Sequence, residues 1–158
     1  MKLVFVDIDG VMISLKEESF SSLVFNPIAV AMLNCLTGET GAHIVVSSRR
    51  CMDMELDQVQ QIFADNCVHG EVIGRISHPL IFSPGKLSIA EPKGLAILRW
   101  LEMGLKVVNP ERFVILDDEL IPEYKDHQVV VDPTIGFVSM KFYDQARAIL
   151  GRRVLCSL

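Results

Sequence analysis

The chain has 158 residues, of which 50% are apolar and 22% are charged. This length and balance suffice for one domain with a full core, and they exclude an intrinsically disordered protein. The formal net charge of −5 argues against a broad nucleic-acid surface, because phosphate backbones reward clustered lysine and arginine. We therefore expect a single domain over residues 1–158.

Sequence features that report on the cellular compartment point to the cytoplasm. The N-terminus carries one lysine and a short apolar run broken by Asp7, which is not the pattern of a signal peptide. No apolar stretch is long enough to cross a membrane, so no membrane partner is expected. The cysteines lack a Cys-x-x-Cys spacing and are interpreted as reduced thiols: Cys35, Cys51, Cys67 and Cys156.

The first predicted strand covers residues 2–7 and delivers two carboxylates, Asp7 and Asp9, followed by Gly10. Alternate side chains of an extended backbone share a face, so these two carboxylates can converge at the strand's carboxyl end. Two acids placed there are costly unless a cation or a proton joins them, which is a first indication of a metal site. Residues 11–25 are expected to form a short hairpin or flap over this site.

Helices and strands alternate in the next part of the chain. A helix is predicted from the Asn26 cap and Pro27 to Gly38, with apolar positions Ile28, Val30, Leu33 and Leu36. A strand at 43–46 precedes a helix that Asp53 is expected to cap, with an apolar face of Leu56, Val59, Ile62 and Phe63. Residues 68–76 indicate a short strand or hairpin, and residues 77–91 a long loop.

The third predicted helix opens at Pro92, carries Lys93 in its first turn and ends near Gly104. Its packed side is expected to consist of Leu95, Leu98 and Leu101, widened by Ile97 and Trp100. Strands at 113–116 and 128–131 follow, then a turn through Asp132 and Gly136 and a last helix capped by Ser139. This alternation predicts an α/β fold, a three-layer Rossmann-like parallel sheet with helices on both faces.

Polar residues stand at the carboxyl ends of three predicted strands. They are the pairs Asp7/Asp9, Ser47/Ser48 and Asp117/Asp118. Ligands of parallel sheets bind outside the carboxyl ends of the strands, so we expect these pairs to build one site.

Four motifs, in this order, resemble those of the haloacid dehalogenase (HAD) superfamily of phosphohydrolases: Asp7-x-Asp9, Ser47, Lys93 and Asp117-Asp118. The resemblance spans residues 3–118 and implies a HAD-like fold; the intervening segments leave no room for a large cap domain. The run from Ser47 to Arg50, the helix from Lys93 to Leu101 and the later Asp132…Gly136-Phe137 are similar to one branch. That branch is the phosphatase-like domain of Swiss-army-knife RNA repair proteins.

The resemblance implies catalytic roles for four residues. Asp7 would attack phosphorus and form an aspartyl-phosphate, and Asp9 would act as general acid and then general base. Ser47 and Lys93 would hold the transferring phosphoryl oxygens by hydrogen bond and charge.

The resemblance also implies a Mg²⁺ site. Asp118 would bind the ion, Asp117 would bind directly or through water, and Asp7 and the Asp9 backbone carbonyl would complete the protein ligands. Ser48 and Arg50 are expected to contact the substrate. Ser48 can instead replace Ser47, and one or both of Arg49 and Arg50 can instead pair with surface acids.

These motifs predict a Mg²⁺-dependent phosphatase for a phosphate monoester. A site without a cap admits macromolecular substrates, a nucleic-acid end or a phosphoprotein, as well as small metabolites, so the natural substrate and the oligomeric state stay open. One alternative is a non-catalytic HAD-like protein-binding module, which the competent side chain at every motif position disfavours. Another is a receiver-like domain that stores phosphate on Asp7, which Asp9 disfavours because a second acid promotes hydrolysis.

Overall fold

The computed structural model describes residues 1–16, 22–77, 80–81, 89–104 and 111–151. Five parallel strands form the central sheet: β1 (Lys2–Val6), β2 (His43–Val46), β3 (Val72–Arg75), β6 (Arg112–Asp117) and β7 (Gln128–Val130). Four helices connect or follow them: α1 (Pro27–Thr40), α2 (Leu56–Asp65), α3 (Lys93–Gly104) and α4 (Met140–Leu150). Two short 3-10 turns cover Arg49–Cys51 and Pro122–His127.

The strand order of the sheet is β3-β2-β1-β6-β7. The chain moves outward from β1 through β2 to β3, and then crosses back to the other side of β1 to form β6 and β7. The order therefore reverses between β1 and β6, and such a switch point opens a crevice beyond the carboxyl ends of the two strands. The sheet and its helices confirm the predicted α/β, HAD-like architecture.

Helices cover both faces of the sheet, as predicted. One face, called the three-helix face below, packs against α1, α2 and α4 through side chains such as Leu33, Phe63 and Ala146. The opposite face, called the α3 face, packs against α3 through Ala96, Ile97 and Leu101. Strand residues alternate between the two: Val4 and Val6 point to the first face, Leu3 and Phe5 to the second.

Two predicted helix ends were wrong. Helix α1 ends at Thr40 rather than Gly38, because Gly41 adopts the left-handed φ of 71° and its N–H donates to the Thr37 carbonyl. Helix α2 has its N-cap at Glu55 rather than Asp53; the Glu55 N–H donates to the Gln58 side chain at 2.8 Å. The caps predicted at Asn26 and Ser139 are confirmed by their hydrogen bonds to backbone N–H groups.

Three other expectations need correction. Residues 77–91 are not one long loop, since β4 (Leu80–Ile81) and β5 (Ile89–Ala90) pair in an antiparallel ladder. Leu95 and Leu98 lie on the exposed side of α3, and Ile28 is exposed on α1. The predicted flap at 11–25 lies partly outside the described residues, as does the centre of the segment 77–91. No helix among the described residues is both long and apolar enough to cross a membrane.

Candidate active site

The floor of the candidate site lies at the carboxyl end of β1. The Asp7 N–H donates to the Leu116 carbonyl at 3.0 Å, which ties the end of β1 to β6. Asp7 as a residue is 7% exposed, and its Oδ1 accepts a hydrogen bond from the Ile8 N–H at 2.8 Å. Gly10 then turns the chain with a φ of +80°, which its lack of a side chain permits. Asp7 is thus a fixed, buried carboxylate facing the crevice.

Lys93, the first residue of α3, joins this carboxylate to a second one on β6. Its Nζ donates to Asp7 Oδ2 at 2.9 Å and to Asp117 Oδ2 at 2.6 Å. Asp117 is fully buried, and its other oxygen accepts from the Glu119 N–H at 2.9 Å. Three chain segments therefore meet through one buried cation and two buried anions.

Burial controls the protonation equilibria of this group. Burial raises the pKa of Asp7 and of Asp117 above the usual range, and the positive charge of Lys93 offsets only part of that rise. Burial lowers the pKa of Lys93, but the carboxylates of Asp7 and Asp117 together outweigh it and the net shift is upward. Burial, followed by the negative charge of Asp7, also raises the pKa of Asp118. The site therefore carries an excess of negative charge that a further cation would relieve.

The acids at this edge have the composition of a magnesium site. Carboxylate oxygens of Asp7, Asp117 and Asp118 all lie within 4.8 Å of one another. Mg²⁺ binds one or two carboxylates and keeps several waters, so this all-oxygen set fits the ion. Gly10 makes room for the Asp118 carboxylate, since a Cβ built at Gly10 would stand 2.7 Å from Asp118 Oδ2. The Asp9 carboxylate is not part of this cluster of side-chain oxygens; the ligand predicted from Asp9 was its backbone carbonyl, which stays a prediction.

The two serines that follow β2 have different surroundings. The Ser47 hydroxyl is fully buried and has no hydrogen-bond partner among the described residues. A buried hydroxyl without a partner is uncommon and indicates a missing ligand or water. The Ser48 hydroxyl caps the 3-10 turn by accepting from the Arg50 N–H at 3.2 Å. Ser47 is therefore the serine whose hydroxyl has no partner among the described residues, whereas Ser48 accepts one hydrogen bond and lines the cavity described below.

Both arginines of this 3-10 turn form ion pairs with carboxylates at the rim of the candidate site. Arg50 donates through Nε and Nη2 to the two oxygens of Asp9, at 3.0 and 2.5 Å. Arg49 donates through Nη1 to Glu119 at 3.2 Å. The sequence left both pairings open, and Glu119 was not predicted as a site residue. Its only sequence signal is a third consecutive acid after Asp117 and Asp118.

A polar cavity of about 250 Å³ unites most of these groups. It is lined by Asp7, Asp9, Ser48, Arg49, Lys93, Asp118 and Glu119. A larger cavity of about 670 Å³ lies around the start of β6 and the turn at Pro122–His127, and none of the predicted site residues lines it. The small cavity at the carboxyl ends of the strands is therefore the candidate active site.

No histidine belongs to the acidic cluster in the described part of the chain. His43 pairs with Glu71 at 3.2 Å, and His127 stacks on Phe113 with ring centroids 4.3 Å apart. Asp132 stabilises the predicted turn, since one of its oxygens accepts from the Thr134 N–H at 2.9 Å and hydroxyl at 2.7 Å. These residues thus have structural contacts away from the cavity.

Comparison with known proteins identifies a family for this chain. A family described as the HAD domain in Swiss Army Knife RNA repair proteins matches residues 3–142, a range that contains every residue of the cavity. No curated protein and no solved structure gives a significant match.

Proposed function

Because this chain belongs to the family of HAD domains in Swiss Army Knife RNA repair proteins, we propose that it is a Mg²⁺-dependent phosphatase acting through an aspartyl-phosphate on Asp7. The observation that carries this proposal is the buried group of Asp7, Lys93 and Asp117 at the floor of the cavity. A phosphate monoester resists attack by a carboxylate because both are anionic. A cavity that holds a carboxylate nucleophile together with a buried lysine and a site for a metal cation can reduce this repulsion.

In the first step, an Asp7 oxygen attacks phosphorus and the bond to the leaving oxygen breaks. Asp9, two residues further on, supplies the proton that the leaving oxygen takes up. In the second step, water attacks the phosphorus of the aspartyl-phosphate while Asp9 accepts a proton from that water. The bond between phosphorus and Asp7 breaks, inorganic phosphate leaves and the carboxylate of Asp7 is restored.

Four other residues act by position, hydrogen bonding and charge. Lys93, which already donates a hydrogen bond to Asp7, would place its positive charge beside the oxygens of the phosphoryl group under attack. Ser47 offers a hydroxyl donor whose partner would be one of those oxygens. Asp118, with Asp117 and Asp7, would hold Mg²⁺, which when bound offsets the charge of the phosphate.

For the substrate, we propose a phosphate at the end of an RNA strand. The family description associates this domain with RNA repair proteins. The net charge of −5 suits a protein that grips one terminal phosphate rather than a long stretch of backbone. End-phosphorylated oligoribonucleotides should accordingly be hydrolysed with a higher kcat/KM than phosphopeptides, and the reverse order would contradict this choice of substrate.

The activity itself is tested by hydrolysis of an aryl phosphate with and without Mg²⁺. Turnover should require Mg²⁺ and should be lost in Asp7→Asn. The matched control is Asp57→Asn, the same change at an exposed acid in the first turn of α2, which should keep wild-type activity. Metal-independent turnover, or turnover that survives in Asp7→Asn, would show that the proposed nucleophile or cofactor is wrong.

A further inference from the structure

The two arginine–carboxylate pairs at the rim differ in burial. The side chains of Arg49 and Glu119 are 45% and 56% exposed, whereas those of Arg50 and Asp9 are 20% and 36% exposed. Exposed ion pairs contribute little, while a bidentate arginine–carboxylate pair away from solvent is a strong contact. Arg50 is therefore the arginine that is firmly committed to a partner.

That partner is the residue proposed as the general acid and base. Both Asp9 oxygens accept hydrogen bonds from Arg50 in this arrangement. The proposed reaction needs one of these oxygens to face the leaving group and then the attacking water. The bidentate pair holds both oxygens on Arg50, so an Asp9 oxygen that turns toward the leaving group gives up at least one of these two hydrogen bonds.

Opening the pair takes a carboxylate away from two N–H donors of a mostly buried guanidinium. Such a loss is costly unless another anion takes its place. The other acids of the site are engaged elsewhere: Asp7 and Asp117 accept hydrogen bonds from Lys93, Glu119 pairs with Arg49, and Asp118 belongs to the cluster that would hold Mg²⁺. The replacement anion is then supplied by the ligand that enters the cavity, and phosphate oxygens match the fork of a guanidinium.

We propose that a phosphate oxygen of the substrate replaces Asp9 at Arg50, so that Arg50 releases the general acid only once substrate is bound. The inference rests on the phosphatase function proposed above for its consequence in catalysis. The exchange itself concerns binding alone and is measurable without turnover. The oxygen has two sources, the phosphate under attack or a second phosphate of the same substrate.

The test is phosphate binding by calorimetry at fixed free Mg²⁺ to four variants in two matched pairs. Arg50→Met is compared with Arg49→Met, and Asp9→Asn with Glu119→Gln, so each pair has the same change of charge at the same rim. Two ligands are used, orthophosphate and methylenediphosphonate, which carries a second phosphate-like group. Arg50→Lys, which keeps the charge but lacks the fork, replaces Arg50→Met if the latter does not fold.

If phosphate replaces Asp9 at Arg50, substitutions of Arg50 and of Asp9 should change the affinity for phosphate in opposite directions. Arg50→Met should weaken binding by about tenfold more than Arg49→Met, as expected for the loss of a charge-assisted hydrogen bond. Asp9→Asn should tighten binding more than Glu119→Gln, because it removes the group that competes for Arg50. The double variant Asp9→Asn/Arg50→Met should lose that gain. An effect of Arg50 on both ligands assigns the oxygen to the phosphate under attack; an effect on the diphosphonate alone assigns it to a second phosphate.

Equal effects within both matched pairs, or no measurable binding of either ligand to wild type and to Asp9→Asn, would overturn the exchange. If wild type hydrolyses the aryl phosphate but the two variants of each pair change the affinity for phosphate equally, the phosphatase function is supported and the exchange is wrong. If the Arg50 and Asp9 variants change the affinity for phosphate in opposite directions but wild type does not hydrolyse the aryl phosphate, the exchange is supported and the phosphatase function is contradicted. The two proposals therefore fail separately.

Discussion

The two faces of the sheet are built differently. In the described part of the chain, the buried cluster on the three-helix face contains 27 residues and that on the α3 face contains nine. The second cluster depends on large rings: Phe5 stands edge-on to both Trp100 and Phe113, with centroids 5.6 and 5.9 Å apart. Yet α3 supplies Lys93, the buried cation that bonds Asp7 and Asp117. The larger cluster thus stabilises the fold, and the smaller one also positions the buried lysine of the candidate site.

The largest effect is expected from Lys93→Met, which removes the ionic contact between α3 and the rest of the site. Leaving two carboxylates buried without their cation should lower the free energy of unfolding by about 3–5 kcal/mol. Turnover should fall by about 100-fold or more, since a charge aimed at the phosphoryl group is lost. Denaturant unfolding and aryl phosphate kinetics measure the two effects.

The control for this prediction is Lys141→Met, the same change at an exposed position of α4. It should alter stability by no more than about 0.5 kcal/mol and leave turnover unchanged. A Lys93 variant as stable as the Lys141 variant would show that the contact with Asp7 and Asp117 contributes no net stability.

The next prediction compares matched truncations on the two faces. Leu33→Ala on α1 and Ile97→Ala on α3 each empty a fully buried site and should each cost about 2–5 kcal/mol. Ile97 lies one turn beyond Lys93, so its loss should also lower kcat/KM by about tenfold through misplacement of the lysine. Leu33→Ala should keep its activity at temperatures where it is folded. Equal kinetics in the two folded variants would remove the functional distinction between the faces.

The sequence predicted the strands of the central sheet and the residues at their carboxyl ends because both depend on local patterns. Asp7, Lys93 and Asp117 lie at strand or helix ends that apolar runs and Pro92 define, and the sheet brings them together. The inward face of α3 was predicted in part: Ile97, Trp100 and Leu101 pack there as expected, whereas Leu95 and Leu98 are exposed. Leucines at helical spacing suggested the wrong two positions, because the inward position of Lys93 places Ile97 and Leu101 one and two turns later on the same face.

Features that depend on tertiary structure were not predictable. Gly38 and Gly41 both stand near the end of α1, and only the folded chain shows that Gly41 takes the left-handed conformation. The pair of Arg50 and Asp9 joins residues 41 positions apart in sequence. A single sequence shows that both are charged, but not that their side chains meet.

A smaller effect is expected where the three-helix face supports the turn after Asp9. Gly136 has a φ of +79°, and a Cβ there would stand 2.8 Å from the Val11 carbonyl oxygen, which also accepts from the Phe137 N–H. Gly136→Ala should therefore cost about 1–2 kcal/mol in backbone strain. It should also reduce turnover by displacing the segment that follows Asp9. Chemical denaturation and kinetics test both parts.

Gly38→Ala is the matched change for this prediction. Gly38 lies inside α1, and a methyl group added to its Cα would enter open space, so alanine should stabilise the protein by about 0.5–1 kcal/mol. Opposite signs for the two alanines are expected. The same sign for both would show that the contact between Gly136 and Val11 does not constrain the turn.

The smallest expected change concerns Cys51, a buried member of the three-helix cluster close to the site. Burial, followed by the negative charge of Asp7, raises the pKa of this thiol from 9.0 to about 11. The neutral thiol therefore favours the folded state: this stability is fully present below pH 9 and is lost as the pH rises through about 11. At pH 8, iodoacetamide should label the exposed Cys35 and Cys67 and leave Cys51 unmodified.

Peptide mass spectrometry after labelling at pH 8, with and without denaturant, measures this difference directly. Cys51 should become labelled only in denaturant, because iodoacetamide needs both access and a thiolate. Labelling of native Cys51 at the rate of Cys35 would mean that the three-helix face opens beside the site. The larger cluster would then exclude reagent where its helices pack on the sheet, but not beside the site. The contrast between a face that stabilises the fold and a face that also positions the site would therefore not hold at the carboxyl ends of the strands.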